Sequence, residues 1–189
     1  MNCLSLATLL VLSVLHEPTV PGQGRVLDGA IELPNPEQKA SLKALDEERK
    51  KLIKELKEAC AAGQKDLAKA PVQKVLDDQV AAWNKGDLEG FMAGYWKSDE
   101  LTFYSGKDVT KGWNATLERY KKRYQADGKE MGKLTFSELK IEMLGDDSAF
   151  VRGRFKLVTS KETPQGLFTL IFKKTADGWK IVHDHTSAG

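Results

Sequence analysis

The sequence predicts an α+β fold, with a curved antiparallel sheet wrapped on helices that precede it in the chain. Two observations support this class. Up to Gly132 the apolar residues recur every three or four positions, as in amphipathic helices, and beyond it they alternate, as in strands. The strand-like runs are separated by short turns rich in Gly, Asp and Pro, which make neighbouring strands antiparallel.

The composition is that of a soluble globular protein with one ordinary domain and some extra length. Of the 189 residues, 41% are hydrophobic and 30% are charged, and the formal net charge is +2. Because this charge balance leaves no basic excess, nucleic acid is not expected as a partner.

Residues 1–24 resemble a signal peptide. Leu4–Leu15 carries no charge and is too short to span a bilayer, which takes about 20 apolar residues, while Gly22 and Gly24 fit the small positions of a cleavage site. The segment predicts a secreted or periplasmic protein with no stable membrane insertion after cleavage. The alternatives are an uncleaved anchor, and a mis-chosen start or a cytosolic protein. Cleavage would leave Cys60 as the single cysteine, so no intramolecular disulfide is expected.

Residues 25–35 are predicted to form a linker, and residues 36–70 an amphipathic, highly charged helix. Asn35 and Gln38 have the spacing of a capping box at its start. Its narrow apolar stripe consists of Leu42, Leu45, Leu52, Ile53, Leu56 and Ala59. This pattern is typical of a solvated helix, and a short coiled-coil contact with a second copy is the alternative. Pro71 is expected to end the helix and to open the main domain, residues 71–189.

The first half of the main domain is predicted to contain three helices and one strand. The first helix has a stripe formed by Val72, Val75, Leu76, Val80 and Trp83. Gly86 and Asp87 then fit a helix end and the N-cap of "LEGFMAGYW". "LTFYSG" reads as a short strand and turn. A third helix carries an inward stripe of Trp113, Leu117, Tyr120 and Tyr124, and its charge run, Lys121, Lys122 and Arg123, is expected to be solvated.

The second half is predicted to be a meander of four strands, "KLTFSELKIEMLG", "SAFVRGRFKLVTS", "LFTLIFKKT" and "GWKIVHDHTS". In the first of these runs the alternation slips between Phe136 and Leu139. That slip predicts a β-bulge, which a strongly curved sheet would need.

Several stretches of the main domain resemble one superfamily. They are "VAAWNKGDLEGFMAGYWKSDELTFYSG", "GWNATLERYKKRY", "MGKLTF" and "GLFTLIFKKTADGWKIVHDHTS". The chain is similar over residues 71–188 to the nuclear transport factor 2-like superfamily, with its SnoaL-like and ketosteroid-isomerase-like domains. The last strand also resembles the association domain of calcium/calmodulin-dependent kinase. The resemblance implies a cone-shaped α+β barrel with an internal pocket, in a homodimer formed through the sheet. It implies no particular reaction, since the fold hosts isomerases, hydrolases and non-catalytic adaptors.

The tripeptide His183-Asp184-His185 is the most conspicuous candidate site. Strict alternation would put Asp184 and Thr186 on one face and both histidines on the other, which argues against a dyad within the tripeptide. The resemblance implies that Arg152, Leu170 and Asp184 face inward. Three roles then remain open: a buried Arg152–Asp184 ion pair, Arg152 as a ligand anchor, or Asp184 as a general base with a raised pKa.

The candidate residues fall into two groups. Candidate catalytic residues are Asp184, His185 and Tyr104, and candidate ligand-binding residues are Arg152, Tyr95, Trp96, Trp113, Tyr120 and Thr186. No phosphate loop, nucleophile elbow or Cys/His metal spacing occurs, so no cofactor or metal is predicted. The favoured function is binding of a small, largely apolar molecule. The alternatives are proton transfer or hydration and dehydration on a small carbonyl compound, and homo-oligomeric assembly.

Overall fold

The computed structural model describes residues 35–126 and 129–188, so the predicted signal peptide and most of the predicted linker lie outside the described residues. The chain divides after Gln64 into two compact units. Within the described ranges, no helix combines the length and the apolar character that crossing a membrane requires.

The first unit contains the start of a long helix, α1 (Pro36–Trp83). The capping box is confirmed, because the amide of Asn35 donates to Gln38 Oε1 (2.9 Å) and the amide of Gln38 donates to Asn35 Oδ1 (2.8 Å). The predicted apolar stripe is solvent-exposed, with Leu42, Leu45 and Leu52 each about 60% accessible. This segment is therefore a helix whose apolar residues are not covered by its own unit.

Pro71 does not end α1, contrary to the sequence-based expectation, and the helix continues to Trp83. Proline in a helix removes the hydrogen bond to the carbonyl four residues earlier, here that of Leu67. Leu67 is largely exposed, so water can satisfy the carbonyl that loses its donor. Burial of the apolar side chains that follow Pro71 then holds the helix in place beyond it.

The second unit packs three helical segments on a sheet. The last part of α1 buries Val72, Leu76, Gln79 and Trp83. After it come α2 (Leu88–Met92), capped by Asp87 as predicted, and α3 (Trp113–Tyr124). The helix predicted from "LEGFMAGYW" is thus shorter than expected, because Tyr95 leaves it to pair with the sheet.

The sheet has six strands in the order β2-β1-β6-β5-β4-β3, and its two ends do not close on each other. The strands are β1 (Thr102–Ser105), β2 (Asp108–Lys111), β3 (Lys133–Met143), β4 (Ser148–Val158), β5 (Gln165–Thr175) and β6 (Gly178–Ala188). The predicted α+β class and the antiparallel meander β3 to β6 are confirmed. The short strand β2 was not predicted, and β1 pairs in parallel with β6.

Two bulges interrupt the strand pairing. The predicted bulge in β3 is confirmed by a register shift between Ser137 and Lys140, where Glu138 has a φ of 52°. A second register shift separates Ile171 and Phe172 in β5, whose partners in β6 are His183 and Ile181. Val182 is therefore an extra residue in β6, and it changes which side chains face inward beyond it.

Polar side chains of α1 and its C-terminal extension fix the helix against β3 and the loop before it. The indole N–H of Trp83 donates to the carbonyl of Met131 (2.8 Å). The side chain of Asn84 pairs with the backbone of Leu134 through two bonds, as a neighbouring strand would (3.0 and 2.7 Å). These bonds satisfy buried or half-buried polar groups and set the distance between the helix and the inner face of the sheet.

Candidate functional site

A cavity of about 110 Å³ lies between the inner face of the sheet and the helices of the second unit. Nine of its lining side chains are aromatic: Trp83, Phe91, Tyr95, Phe103, Tyr120, Tyr124, Phe136, Phe155 and Phe168. Several of the rings pack edge to face, for example Trp83 on Phe91 with centroids 4.9 Å apart, and Tyr120 stacks on Tyr124. The cavity thus has largely aromatic walls, which suit a small ring or hydrocarbon body.

Glycine at position 153 makes room for one of these walls. A Cβ atom at Gly153 in β4 would lie only 2.6 Å from Cζ of Phe168 and 2.8 Å from a methyl carbon of Leu139. Because Gly153 has no side chain, the ring of Phe168 can lie directly on the strand and still contact Phe136, with centroids 5.0 Å apart.

The carboxylate in the cavity wall is Asp184, which is 3% exposed. Its Oδ2 accepts a hydrogen bond from the Tyr95 hydroxyl (2.7 Å), and its Oδ1 accepts one from the Thr186 hydroxyl (2.8 Å). Burial raises the pKa of Asp184 to about 6, although these two hydrogen bonds and the charge of His185 act in the opposite direction. The site therefore holds a carboxyl group that changes its charge near neutral pH.

Tyr95 reaches Asp184 because the chain after α2 pairs with β6. Tyr95 bridges Ile181, the amide of Trp96 donates to the carbonyl of Ile181, and the amide of Ile181 donates to the carbonyl of Gly94, both at 2.9 Å. Burial first, and then the nearby charge of Asp184, raises the pKa of Tyr95 well above its ordinary value. Tyr95 is therefore a fixed, protonated hydrogen-bond donor to the carboxylate.

The bulge at Val182 corrects the predicted alternation of β6. Ile181 and Asp184 both face inward, since they pair with Phe172 and Leu170 on the inner face of β5. In a regular strand Ile181 would share a face with the two histidines, and the bulge is the reason that it does not. The prediction that Asp184 lies opposite its two histidine neighbours holds, because no bulge separates those three residues.

Arg152 does not face the cavity, so the expectation that it lies inward beside Asp184 was wrong. It pairs in register with Thr169, one position from the inward Val151–Leu170 pair. Its side chain is 53% exposed and lies 3.5 Å from Glu142, with the guanidinium over the ring of Phe150. An arginine on the solvent side keeps its hydration, whereas an inward one would need a buried counter-charge.

His185 and Tyr104, two of the predicted catalytic residues, also lie on the outer face of the sheet. The Tyr104 ring contacts the rings of His183 and His185, with centroids 5.0 and 6.1 Å apart, and His183 Nδ1 shares a hydrogen bond with Thr102 (2.6 Å). None of them lines the cavity, so they do not join Asp184 in one site. Among the described residues, no group of three metal-ligating side chains occurs.

The predicted aromatic ligand-binding residues divide into two sets. Tyr95 and Tyr120 line the cavity, as does the predicted Thr186. Trp96 and Trp113 do not, although both are half-buried. Trp113 packs behind the wall, where its indole N–H donates to the carbonyl of Met92 (3.0 Å). The inward stripe of α3 correctly predicted that Trp113 packs towards the interior. Such a pattern does not distinguish a residue that lines the cavity from one that packs behind the lining residues.

Sequence reasoning missed two cationic residues of the cavity, Arg119 and Arg123 on α3. Arg123 was assigned to a solvated charge run, and it is indeed exposed, yet its side chain also lines the cavity. The helical spacing contained a pattern that could have indicated their position. Each arginine directly precedes a tyrosine of the inward stripe, Tyr120 or Tyr124, and so lies at the border between the buried and the exposed face.

Comparisons with known proteins agree with this architecture. The family model for the SnoaL-like domain matches residues 72–189. A solved NTF2-like protein of unknown function from Shewanella oneidensis MR-1 is 40% identical, with a TM-score of 0.60, and the match covers 63% of this chain and 98% of that chain. Among curated proteins, no match to the sequence is found.

More distant solved structures share the fold. An NTF2-like superfamily protein from Salmonella enterica serovar Typhimurium LT2 is 18% identical with a TM-score of 0.52, over 66% of this chain and 92% of that one. A putative calcium/calmodulin-dependent protein kinase type II association domain from Thiobacillus denitrificans ATCC 25259 is 21% identical with a TM-score of 0.53, over 62% and 94%. Together with the family match, they confirm the resemblance: the chain belongs to the SnoaL-like domain family and has the NTF2-like fold.

Proposed function

We propose that this protein binds a small, largely apolar molecule in the aromatic cavity. The observation that carries the proposal is a solitary carboxyl group, Asp184, set in a wall of aromatic side chains and held by hydroxyl groups rather than by a cation. A pocket whose sole purpose is packing has no need of a buried acid, which is costly to keep. An apolar site with a few fixed polar groups is typical of ligand binding.

The size of the cavity limits the ligand. A volume of about 110 Å³ is on the scale of engineered cavities that hold one benzene molecule, for which roughly 150 Å³ is enough. The proposed ligand therefore has a body no larger than a single ring, and a molecule of several fused rings exceeds this space. We also propose that the protein is secreted or periplasmic, because the uncharged run Leu4–Leu15 resembles the apolar part of a signal peptide.

Ring-sized neutral compounds test the binding proposal. We expect phenol and cyclohexanone to shift NMR resonances of cavity residues in a saturable manner. Phe155→Trp, which fills the cavity from β4, is expected to weaken binding about fivefold or more, because the larger ring takes space that the ligand needs. Phe150→Trp on the outer face of the same strand is the matched control and should bind as wild type does. Equal affinity of wild type and Phe155→Trp would contradict the proposal.

A second candidate function is proton transfer, with Asp184 as general base. Its raised pKa of about 6 favours this role, since a base is most effective when its pKa lies near the working pH. Tyr95 would hold the carboxylate in place, and the apolar walls would exclude water from it. The roles predicted for His185 and Tyr104 have no place in this mechanism, because both lie on the other face of the sheet.

Hydrogen–deuterium exchange at the carbon next to the cyclohexanone carbonyl tests this second candidate. In D₂O the protein is expected to accelerate exchange, with a rate that rises through about pH 6 as Asp184 loses its proton and then levels off. Asp184→Asn should abolish the acceleration while the ketone still binds. A rate that is the same for both proteins excludes Asp184 as the base.

Self-association is the third candidate, and exposed apolar side chains on the outer face of the sheet favour it. Tyr104, Leu167 and Ile171 are each between 36% and 51% exposed there. The occupant proposed for this face is a second copy of the chain, which gives a homodimer. Light scattering tests it: Ile171→Glu should halve the measured mass, and Lys85→Glu, in the exposed turn after α1, should not change it. A monomeric wild type would exclude the homodimer.

A further inference from the structure

Two arginines lie at the edge of the cavity, on one side of α3. Arg119 and Arg123 are four residues apart, so they project from the same face of the helix. Each guanidinium lies over an aromatic wall residue, Arg119 over Phe103 at 5.4 Å and Arg123 over Tyr124 at 5.5 Å from the ring centroid. The charges are therefore held beside the apolar walls, at the point where the lining of the cavity meets the exposed side of the helix.

These arginines are only weakly engaged by the protein itself. Arg119 lies 3.6 Å from a carboxylate oxygen of Asp108 and 3.4 Å from the hydroxyl of Thr110, which are long contacts for a guanidinium. In residues 35–126 and 129–188, no carboxylate comes within ion-pair distance of Arg123. The acid in the cavity wall, Asp184, forms no ion pair with either arginine. Most of their donors are thus available to a ligand.

We propose that the ligand is a ring-sized molecule with one anionic group, a monocarboxylate, whose carboxylate binds between Arg119 and Arg123 while its apolar body enters the cavity. This inference rests on the proposed binding function and specifies its ligand class. Guanidinium groups bind carboxylates through charge-assisted hydrogen bonds, often two at once.

Charge fixes the orientation of such a ligand. Its carboxylate is attracted to the arginines and repelled by ionised Asp184, so the anionic end stays at the edge of the cavity. The opposite end of the ring then meets Asp184, Tyr95 and Thr186, where a hydroxyl group or an acidic C–H group would find an acceptor. The ligand class therefore combines an anionic end with a neutral polar group across a ring.

Three probes of the same size test the proposal by calorimetry: benzoate, its neutral counterpart benzamide, and phenol. Wild type should bind benzoate about tenfold more tightly than benzamide, because only benzoate forms charge-assisted bonds. Arg123→Gln should lose this preference, because benzoate binding weakens far more than the binding of benzamide or phenol. Arg119→Gln should also lose the preference for benzoate. Because Arg123 is exposed, its variant tests the proposal even if Arg119→Gln does not fold. Lys85→Gln, which removes the same charge from the exposed turn after α1, is the matched control and should keep the full preference.

The outcomes separate this inference from the binding proposal. Equal affinity for benzoate and benzamide, or an equal loss in Lys85→Gln and Arg123→Gln, would overturn the anionic ligand class and leave the binding proposal standing if phenol binds. Failure of all three probes to bind the wild-type protein would count against both.

Discussion

Charged side chains on the two faces of the sheet differ in their exposure to water and in their hydrogen-bond partners. On the outer face, Arg152 and Arg154 each lie beside a glutamate in contact with water, at 3.5 and 2.9 Å. On the inner face, Asp184 is almost fully buried and has hydroxyl groups as partners. The outer charges remain in contact with water, whereas burial raises the pKa of the inner carboxyl group. Candidate chemistry thus follows from which face a residue occupies.

Two leucines of β5 give the largest expected contrast between the faces. Leu170 is 3% exposed and lines the cavity, while Leu167 on the outer face is 51% exposed. Leu170→Ala should lower the free energy of unfolding by about 2–5 kcal/mol, because it removes buried methyl groups and enlarges a void. Leu167→Ala, the same change three residues away, should cost less than about 1 kcal/mol. Urea denaturation measures both, and equal costs would show that the two faces do not differ in burial.

Asp184→Asn tests how much the buried charge costs. Because the pKa of Asp184 is about 6 in the folded protein and ordinarily 3.8, the folded state holds its proton more tightly than the unfolded state. Stability of the wild type should therefore fall as the pH rises from about 4 to about 6, and then level off. The difference between the two pKa values corresponds to about 3 kcal/mol. Asp184→Asn, which cannot ionise, should have a free energy of unfolding higher than that of the wild type by about this amount at pH 7.

Thermal unfolding at several pH values measures this effect. Asp177→Asn, in the exposed turn between β5 and β6, is the control and should follow the wild-type profile. If Asp184→Asn is the less stable protein at pH 7, the ionised carboxylate stabilises the fold and the proposed origin of its raised pKa is wrong.

Arg152→Gln should have the smallest effect. The ion pair with Glu142 is long and half exposed, and such pairs contribute between zero and about 1 kcal/mol. We expect a change below about 0.5 kcal/mol and no effect on the binding of phenol. A large loss of binding would place Arg152 in the ligand site after all and would remove the contrast between the two faces.

Most of the second unit could be predicted from local patterns. The turns between the last four strands, the cap at Asp87 and the slip near Glu138 are encoded in neighbouring residues, and the structure shows each of them. The prediction that Pro71 ends the helix was wrong, because helix propensity includes the cost of a proline but not the burial of Val72 and Leu76. That burial outweighs the cost.

The candidate site was harder to predict, because it depends on pairings between distant segments. Asp184 was recognised as an acid in an apolar strand, but Tyr95, its partner, is 89 residues away in sequence. The family resemblance implies that the side chain of Arg152 faces inward, but the pairing of β4 with β5 places it on the outer face. Arg123 was interpreted as part of a solvated charge run, and Arg119 was not singled out. Sequence does not show that the border of a helix face coincides with the edge of a cavity.

The position of β6 has a consequence for biosynthesis. This strand is the last of the six in sequence, yet it lies between β1 and β5 in the sheet. While the chain is still emerging from the ribosome, β1 has no partner except the short β2, and Asp184 has not reached Tyr95. The domain therefore exposes aromatic residues until residues 178–188 are free to pair, and chaperones that recognise such surfaces have that interval in which to act.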